Sequence, residues 1–194
     1  MKTVLDQATD NQLVKSFQHG DNNALEVLLE RYKDRIFSSI NFLVKDQFLA
    51  EDVFQDTFIK IIDTLRGNRY NDEGKFLPWA IRIAHNLCVD HFRKIKRKPG
   101  IVNSEDCSVF ESIHDDDDTA DTHLMQEQSY EGVRKIVNML PDEQREVIVL
   151  RHYADLSFKE IAQLTNCRIN TALGRMRYGL MNMRKLMADK QIAL

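Results

Sequence analysis

The sequence predicts an all-α protein made of two small helical domains joined by a flexible acidic linker, and three observations support this fold class. The 194 residues include only 7 Gly and 3 Pro, few for a fold that needs many tight turns. Apolar residues recur at steps of three and four, and no window alternates apolar and polar residues. An acidic strip divides the chain, so we expect domains at 1–98 and 126–194 and a linker at 99–125, with a helix-turn-helix in the second domain.

The first block contains four predicted helices. Three of them follow a residue whose side-chain oxygen can accept hydrogen bonds from the free N–H groups of the first turn: Thr9, Asp21 and Asp46. The fourth begins near Pro78 and runs to Arg97. Proline is favourable in a first turn, because the N–H group that it lacks would have no partner within the helix.

The second block is also helical throughout. A helix over 122–139 precedes one that opens at Pro141, and a capping box formed by Ser157 and Glu160 starts a short helix over 158–164. After a turn, a long helix carries small and apolar residues at a regular spacing of four and three: Ala172, Met176, Gly179, Met183 and Leu186.

The net charge of −3 argues at first against a protein that binds nucleic acid, but the charges are unevenly distributed. Residues 1–98 hold 16 basic and 14 acidic residues, 99–131 hold 10 acidic and no basic residues, and 132–194 hold 11 basic and 6 acidic residues. Self-repulsion and low hydrophobicity predict that the acidic strip is flexible. The two positive blocks are therefore the candidates for contact with DNA.

Composition excludes several classes of protein. No apolar run is long enough for a membrane span and the N-terminus lacks a signal-peptide core, so we expect a cytoplasmic protein. Cys88, Cys107 and Cys167 are far apart and form no CxxC pair, which argues against a disulfide framework or a zinc finger.

The strongest functional signal is the C-terminal helix pair, because a short capped helix, a turn of about four residues and a basic helix are typical of a helix-turn-helix. In this motif the front of the second helix enters the major groove. The candidate DNA contacts at this end are Arg168, Asn170, Thr171, Leu173, Gly174, Arg175, Arg177 and Tyr178. The alternative is a helical hairpin with a solvated basic face.

A second candidate site lies on the predicted third helix, where Asp52, Gln55 and Asp56 share one face. A patch of carboxylates and an amide on a rigid helix suits the docking of a basic partner helix. On this segment alone, a solvated face is the simpler explanation.

A third candidate site mixes cations with aromatic residues in the loop 66–75 and the helix after it. Aromatic rings stack on unpaired bases and cations hold the phosphate backbone, as single-strand binding requires. The candidates are Arg69, Tyr70, Lys75, Trp79, Arg82, His85 and Asn86, with Arg93 and Lys94 from the basic helix end. The alternative for Trp79 is an anchor in the core.

Signals for a metal or for catalysis are weak. His85, Cys88 and His91 form an H-x-x-C-x-x-H pattern, but on a helix the three side chains spread over about 120°, which is unfavourable for one ion. Cys88 fits a small core residue better. We expect no catalytic residues, no bound metal and no cofactor, because no nucleophile–base arrangement, phosphate loop or pair of buried carboxylates is recognisable.

Four segments, in this order, resemble the extracytoplasmic-function sigma factors, the small two-domain members of the bacterial sigma family. They are AEDVFQDTF (50–58), FLPWAIRIAHNLCVD (76–90), LPDEQREV (140–147) and LSFKEIA (156–162) with the basic helix that follows. The resemblance covers nearly the whole chain. Leu173 departs from it, since members often carry a polar residue there, and this leaves the DNA sequence that is read open.

The resemblance implies that the first domain is sigma region 2 and the second is sigma region 4. The face of Asp52, Gln55 and Asp56 then docks on the β′ clamp helices of core RNA polymerase. The third candidate site then opens the −10 promoter element and holds a flipped base. Its contacts with that base must offset a few kcal/mol of lost base stacking. Region 4 contacts the β flap and reads the −35 element.

We therefore expect an alternative sigma factor that is not an enzyme, with core RNA polymerase, promoter DNA and an anti-sigma factor as partners. Two alternatives stay open on the sequence. One is a stand-alone helix-turn-helix regulator with an N-terminal helical sensor domain, which needs a ligand pocket. The other is a metal-dependent enzyme built on His85, Cys88 and His91.

Overall fold

The computed structural model describes residues 5–71, 75–97 and 132–190, which fold into helices without any strand. The first domain contains α1 (Asp10–Gln18), α2 (Asn22–Val44), α3 (Gln47–Arg66) and α4 (Phe76–Arg97). The second contains α5 (132–139), α6 (Asp142–Tyr153), α7 (Phe158–Leu164) and α8 (Ile169–Lys190). The all-α fold class is confirmed. The predicted linker, 99–125, lies outside the described residues, as does the first part of the helix predicted at 122–139.

The helix starts follow the predicted capping chemistry. Thr9 forms a capping box at the start of α1, while Asp21 and Asp46 accept hydrogen bonds from the first turns of α2 and α3. α4 begins at Phe76, two residues earlier than predicted, with Pro78 inside its first turn. Among the described helices, none is long and apolar enough to cross a lipid bilayer.

The core of the first domain forms where α1, α3 and α4 pack around α2. Its most deeply buried large side chains are Leu13, Leu28, Ile36, Ile40, Ile61, Leu65, Phe76 and Ile81. The burial of these apolar surfaces is the main stabilising contribution. Cys88 is 2% exposed in the same core, and burial raises the pKa of its thiol to about 12, so its predicted role as a core residue is confirmed.

The second domain is built on the close approach of α8 to α6. A Cβ atom at Gly179 of α8 would lie only 2.7 Å from Cδ1 of Ile148 in α6, so glycine permits this contact. Ala172 is also fully buried, while Met176 and Met183 are half-buried. The predicted apolar stripe of the long helix therefore faces the core.

The two domains touch through α2 and α6. Phe42 of α2 is buried with Val137 and Val149 of the second domain. Its ring centroid lies 5.4 Å from that of Tyr153 at the end of α6. This apolar contact sets the position of the candidate sites on the two domains relative to each other.

Candidate nucleic-acid interface

The helix-turn-helix motif consists of α7, a short turn and α8. The predicted capping box starts α7, since the Glu160 carboxylate accepts a hydrogen bond from the Ser157 backbone N–H at 2.8 Å while the Ser157 hydroxyl accepts one from the Glu160 N–H. In the turn, Asn166 adopts a left-handed backbone with φ 52°, and Cys167 N–H donates to the Ala162 carbonyl. These bonds fix the direction in which α8 leaves α7.

The front of α8 presents most of the predicted DNA contacts to solvent. The exposed members are Arg168, Asn170, Thr171, Leu173, Arg177 and Tyr178. Gly174 and Arg175 are partly buried. Because Ala172 and Gly179 pack behind them, the exposed side chains project from a helix that is held firmly against the domain.

Arg175 is distinguished from its neighbours by an ion pair. Its Nη2 lies 2.9 Å from Oε2 of Glu143 at the start of α6, and its side chain is only 20% exposed. The sequence did not indicate this pair, since the two residues lie on different helices. A guanidinium has five N–H donors, so the remaining ones are still available to a ligand.

An apolar groove of about 510 Å³ lies beside the exposed front of α8. Leu173, Leu180 and Met181 line it and are each more than two-fifths exposed. Arg177 and Arg184 border it. An apolar floor with cationic edges is a surface that a partner protein can cover.

The predicted docking face on α3 is open to solvent. Asp52, Gln55 and Asp56 are all exposed, as the sequence predicted for one helix face. Phe48 and Ile59 continue the line of Asp52 and Gln55 at a spacing of four, three and four, and they are 71% and 58% exposed. Only the folded structure shows that these two apolar residues stay exposed.

An aromatic cluster occupies the start of α4. The ring centroids of Tyr70 and Trp79 lie 4.4 Å apart, and those of Phe76 and Trp79 lie 5.6 Å apart. Tyr70 and Phe76 are buried, whereas Trp79 is half-buried. Trp79 thus contributes to the core and still presents part of its surface outward, which reconciles the two roles considered for it.

The polar members of the third candidate site differ in exposure. Those that are exposed are Arg69, Lys75, Asn86, Arg93 and Lys94. Arg82 is partly buried, and His85 is only 3% exposed. Nε2 of His85 lies 2.8 Å from Oε1 of Glu146 in α6, while its Nδ1 is buried without a hydrogen-bond partner. The pairing of His85 with the second domain was not foreseen from the sequence.

A cleft of about 570 Å³ separates this surface from α7. On one side it is lined by Tyr70, Trp79 and Arg82, and on the other by residues of α7 that include Glu160. Oε1 of Glu160 lies 3.0 Å from Nη2 of Arg82 and 3.5 Å from Nζ of Lys75. The Glu160 carboxylate therefore bridges the two domains.

Hydrogen bonding and charge stabilise the ionised form of Glu160. The hydrogen bond from the Ser157 hydroxyl is the largest cause that holds the pKa of the Glu160 carboxyl below its usual range, and the cations of Lys75 and Arg82 act in the same direction. Glu160 thus remains an anion at neutral pH.

The described part of the chain contains no group of three or more His, Cys, Asp and Glu side chains placed to share a metal ion.

Comparison with known families identifies both domains. A model described as sigma-70 region 2 matches residues 28–98, and a model described as sigma-70 region 4 matches residues 130–175. The RNA polymerase sigma-H factor of Pseudomonas aeruginosa is 31% identical over 176 residues, which is 89% of this chain and 90% of the relative. The ECF RNA polymerase sigma factor SigW of Bacillus subtilis is 29% identical over 185 residues, 91% of this chain and 95% of the relative. The chain belongs to the extracytoplasmic-function sigma factors.

Solved structures share the fold of this sigma factor. The sigma factor RpoE, solved in complex with the anti-sigma factor NepR from Bartonella quintana, matches with a TM-score of 0.63 and 22% identity over 84% of this chain and 96% of that one. CnrH, solved in complex with the cytosolic domain of CnrY, matches with a TM-score of 0.60 and 20% identity over 94% and 99%. Both likenesses support two helical domains.

Membership of the family settles the general function. The protein is an alternative sigma factor that associates with core RNA polymerase and directs transcription initiation at promoters, and it is not an enzyme. The alternative of a sensor domain joined to a helix-turn-helix is not favoured, since the first half of the chain matches sigma region 2.

Proposed function

We propose that this sigma factor uses three separate surfaces, one for the polymerase and one for each promoter element. The observation that carries the proposal is that the three sets of predicted residues lie in three different places: on α3, on α4 and the loop before it, and on α8 and the residue before it. Each helix is anchored by buried residues behind the candidate face. The domain limits proposed with this division are 1–98, 99–125 and 126–194.

The docking surface on α3 combines charge with apolar anchors. Asp52, Gln55 and Asp56 offer acceptors to basic groups of the β′ clamp helices, and their charge favours association with a basic partner. Phe48 and Ile59 extend the same line and supply exposed apolar area, which binding removes from water. We assign these two residues to the docking surface as well.

The −10 surface on α4 provides a stacking ring and cations. Trp79, supported by Tyr70, can stack on a base that leaves the duplex, and Lys75 and Arg82 lie at the same cleft. The further contacts proposed here are Arg69, His85, Asn86, Arg93 and Lys94, most of which are exposed. Their spread along the loop and α4 suits a single strand that follows the helix.

The −35 surface is the front of α8. Arg168 and Arg177 are exposed cations that can contact phosphates or a guanine edge, and Asn170 and Thr171 offer hydrogen bonds to base edges. Leu173 is 44% exposed and can contact a thymine methyl group. The proposed set of −35 contacts also includes Gly174, Arg175 and Tyr178. Region 4 in addition contacts the β flap of the polymerase. Because a promoter is recognised on the chromosome, we propose that the protein acts in the cytoplasm.

An anti-sigma factor is a further proposed partner. RpoE, which shares this fold, was solved with the anti-sigma factor NepR, and CnrH was solved with the cytosolic domain of CnrY. The apolar groove beside α8, bordered by Arg177 and Arg184, suits an amphipathic segment with acidic edges.

The docking surface provides the decisive experiment. The full chain is mixed with core RNA polymerase, and promoter-dependent transcription is measured on genomic fragments. Reversing two charges on α3, in Asp52→Arg with Asp56→Arg, should weaken core binding by roughly 100-fold or more, because it places like charges together. Promoter-dependent transcription should fall with it.

The matched control reverses two exposed acids at the same spacing on α2, in Glu30→Arg with Asp34→Arg. This variant should bind core RNA polymerase as the unmodified chain does. If the α3 variant still forms a normal complex, the docking surface is wrongly assigned.

A further inference from the structure

Arg175 differs from the other cations proposed for the −35 surface. Its side chain is only 20% exposed, and its Nη2 lies 2.9 Å from Oε2 of Glu143 in the first turn of α6. Arg168 and Arg177, by contrast, are exposed. The −35 surface therefore contains a guanidinium that a carboxylate of the same domain already holds.

The carboxylate of Glu143 is carried by a firmly anchored turn. Asp142, the residue before it, accepts a hydrogen bond from Nη2 of the buried Arg145 at 2.6 Å. Gln144, the residue after it, accepts one from Nδ2 of Asn182 in α8 at 2.8 Å. Because both neighbours are held, Glu143 has a defined position relative to α8.

The ion pair restricts the side chain of Arg175. A free arginine side chain has many rotamers, and ordering it on binding costs affinity. An ion pair with an anchored partner orders the guanidinium before DNA arrives, so less freedom is lost when the contact forms. The guanidinium keeps donors for a ligand, because it has five N–H groups.

The ion pair also decides which chemistry Arg175 accepts as a ligand. A phosphate bound to this guanidinium would lie close to the Glu143 carboxylate, and two anions repel each other. The edge of a guanine is uncharged, and it offers the N7 and O6 acceptors to which an arginine binds in a bidentate manner. A base edge is therefore a better partner for Arg175 than the DNA backbone.

We infer that Arg175 reads a guanine in the −35 element and that Glu143 is the positioning residue that makes this contact specific. Glu143 holds the guanidinium in one orientation and cancels its attraction for phosphates, which carry no sequence information. This inference rests on the proposed function, because it assumes that the front of α8 binds the −35 element. It decides between a base edge and a phosphate as the ligand of this arginine.

Discrimination between base pairs tests the inference in the full chain. The probes are a duplex from a transcribed promoter and a panel in which each base pair of its −35 element is changed in turn, and fluorescence anisotropy gives the affinities. Arg175→Ala should lose roughly ten-fold discrimination at one G·C base pair, because a bidentate contact is worth that much. Glu143→Gln should lose most of the discrimination at the same base pair and keep it elsewhere. In the Arg175→Ala background, Glu143→Gln should have no further effect at that base pair.

The salt dependence of binding to a duplex of random sequence provides a second readout. This affinity falls with salt concentration in proportion to the number of phosphates that cations contact. Arg175→Ala should leave the slope unchanged, because Glu143 already compensates the charge of the guanidinium. Glu143→Gln should raise the affinity for the random duplex roughly two-fold, because it frees one cation to contact a phosphate.

Two control variants separate charge from geometry. Asp189→Asn removes one exposed carboxylate of α8, about 21 Å further along the helix than Arg175, and it should leave the discrimination between base pairs unchanged. Arg175→Lys keeps the positive charge, but lysine cannot form the bidentate contact. It should therefore lose the discrimination at the same G·C base pair as Arg175→Ala does.

Two results would overturn the inference. One is an effect of Glu143→Gln that is equal for every duplex of the panel, because Glu143 then acts only as a surface charge. The other is an Arg175→Ala variant that shows no loss at any single base pair and a salt slope lower by about one, because Arg175 then contacts a phosphate. Failure of the proposed function shows separately, as unchanged affinity of Arg177→Ala for the promoter duplex.

Discussion

The two DNA-binding surfaces of this sigma factor differ in their accessibility. At the front of α8, including Arg168 just before it, six of the eight proposed −35 contacts are exposed. On α4, the cations at the cleft are paired with carboxylates of the other domain, and His85 is buried. The comparison shows that residue type alone does not make a surface available, since both surfaces are rich in cations.

The difference has a structural cause. The apolar stripe of α8 packs on α6 and turns its polar front away from the protein, so the front contacts solvent. α4 lies at the contact between the domains, where Glu146 and Glu160 reach its side chains. Lys75 and Arg82 therefore already have a carboxylate partner from the other domain, whereas the exposed cations at the front of α8 do not share it.

The first prediction, with the greatest effect, disrupts the packing of α8 against α6, which supports the −35 surface. Gly179→Leu inserts a side chain where a single Cβ would already lie 2.7 Å from Ile148, so it should destabilise the second domain by about 2 kcal/mol. Urea denaturation followed by circular dichroism measures the change. Gly174→Ala on the same helix is the control, because a Cβ there meets nothing within 4 Å. It should raise stability by up to about 1 kcal/mol, and equal effects of the two changes would contradict this account of α8.

A second, smaller effect distinguishes the −35 surface from the −10 surface by the affinity of the free protein for duplex DNA. Arg177→Ala on the exposed surface should weaken binding to a −35 duplex about ten-fold, since a good base or phosphate contact is worth about 1–3 kcal/mol. Arg82→Ala on the −10 surface should not weaken binding to this duplex. Fluorescence anisotropy with a duplex from a transcribed promoter gives both affinities. A comparable loss in both variants would show that the surfaces do not differ as described.

The smallest expected effect concerns the titration of Glu160. Its pKa is lowered in the folded protein, so the stability that it adds is present above the pKa of the unfolded chain and is lost as pH falls through the lower folded value. Carbon-13 NMR, assigned with Glu160→Gln, should therefore show a midpoint below that of an ordinary glutamate. Ser157→Ala should raise this midpoint more than Arg82→Ala does, because the Ser157 hydrogen bond is the larger cause. The reverse order would assign the shift to the contact between the domains.

Much of the fold could be predicted because it depends on neighbours in the sequence. The capping boxes at Thr9 and Ser157 involve residues only three positions apart, and the structure contains both. The stripe of α8 follows from the helical repeat, and Cys88 is buried as its surroundings suggested. α4 begins at Phe76 rather than at Pro78, and this start is compatible with the proline because the N–H groups of the first turn have no partner within the helix.

The candidate sites could be predicted only in part. The sequence placed Asp52, Gln55 and Asp56 on one helix face, and all three are exposed. It could not show that Phe48 and Ile59 would remain uncovered beside them. Exposure depends on which other helices pack against α3, and no local pattern contains that information.

The helices, the division of charge along the chain and the motifs that resemble sigma regions 2 and 4 can all be read from the sequence. These properties follow from composition and from interactions over a few residues. The partners of the charged groups, such as Glu143 for Arg175 and Glu160 for Arg82, depend on how the helices pack. Ion pairs act over a few ångströms, and packing alone brings residues that are distant in the sequence within that range.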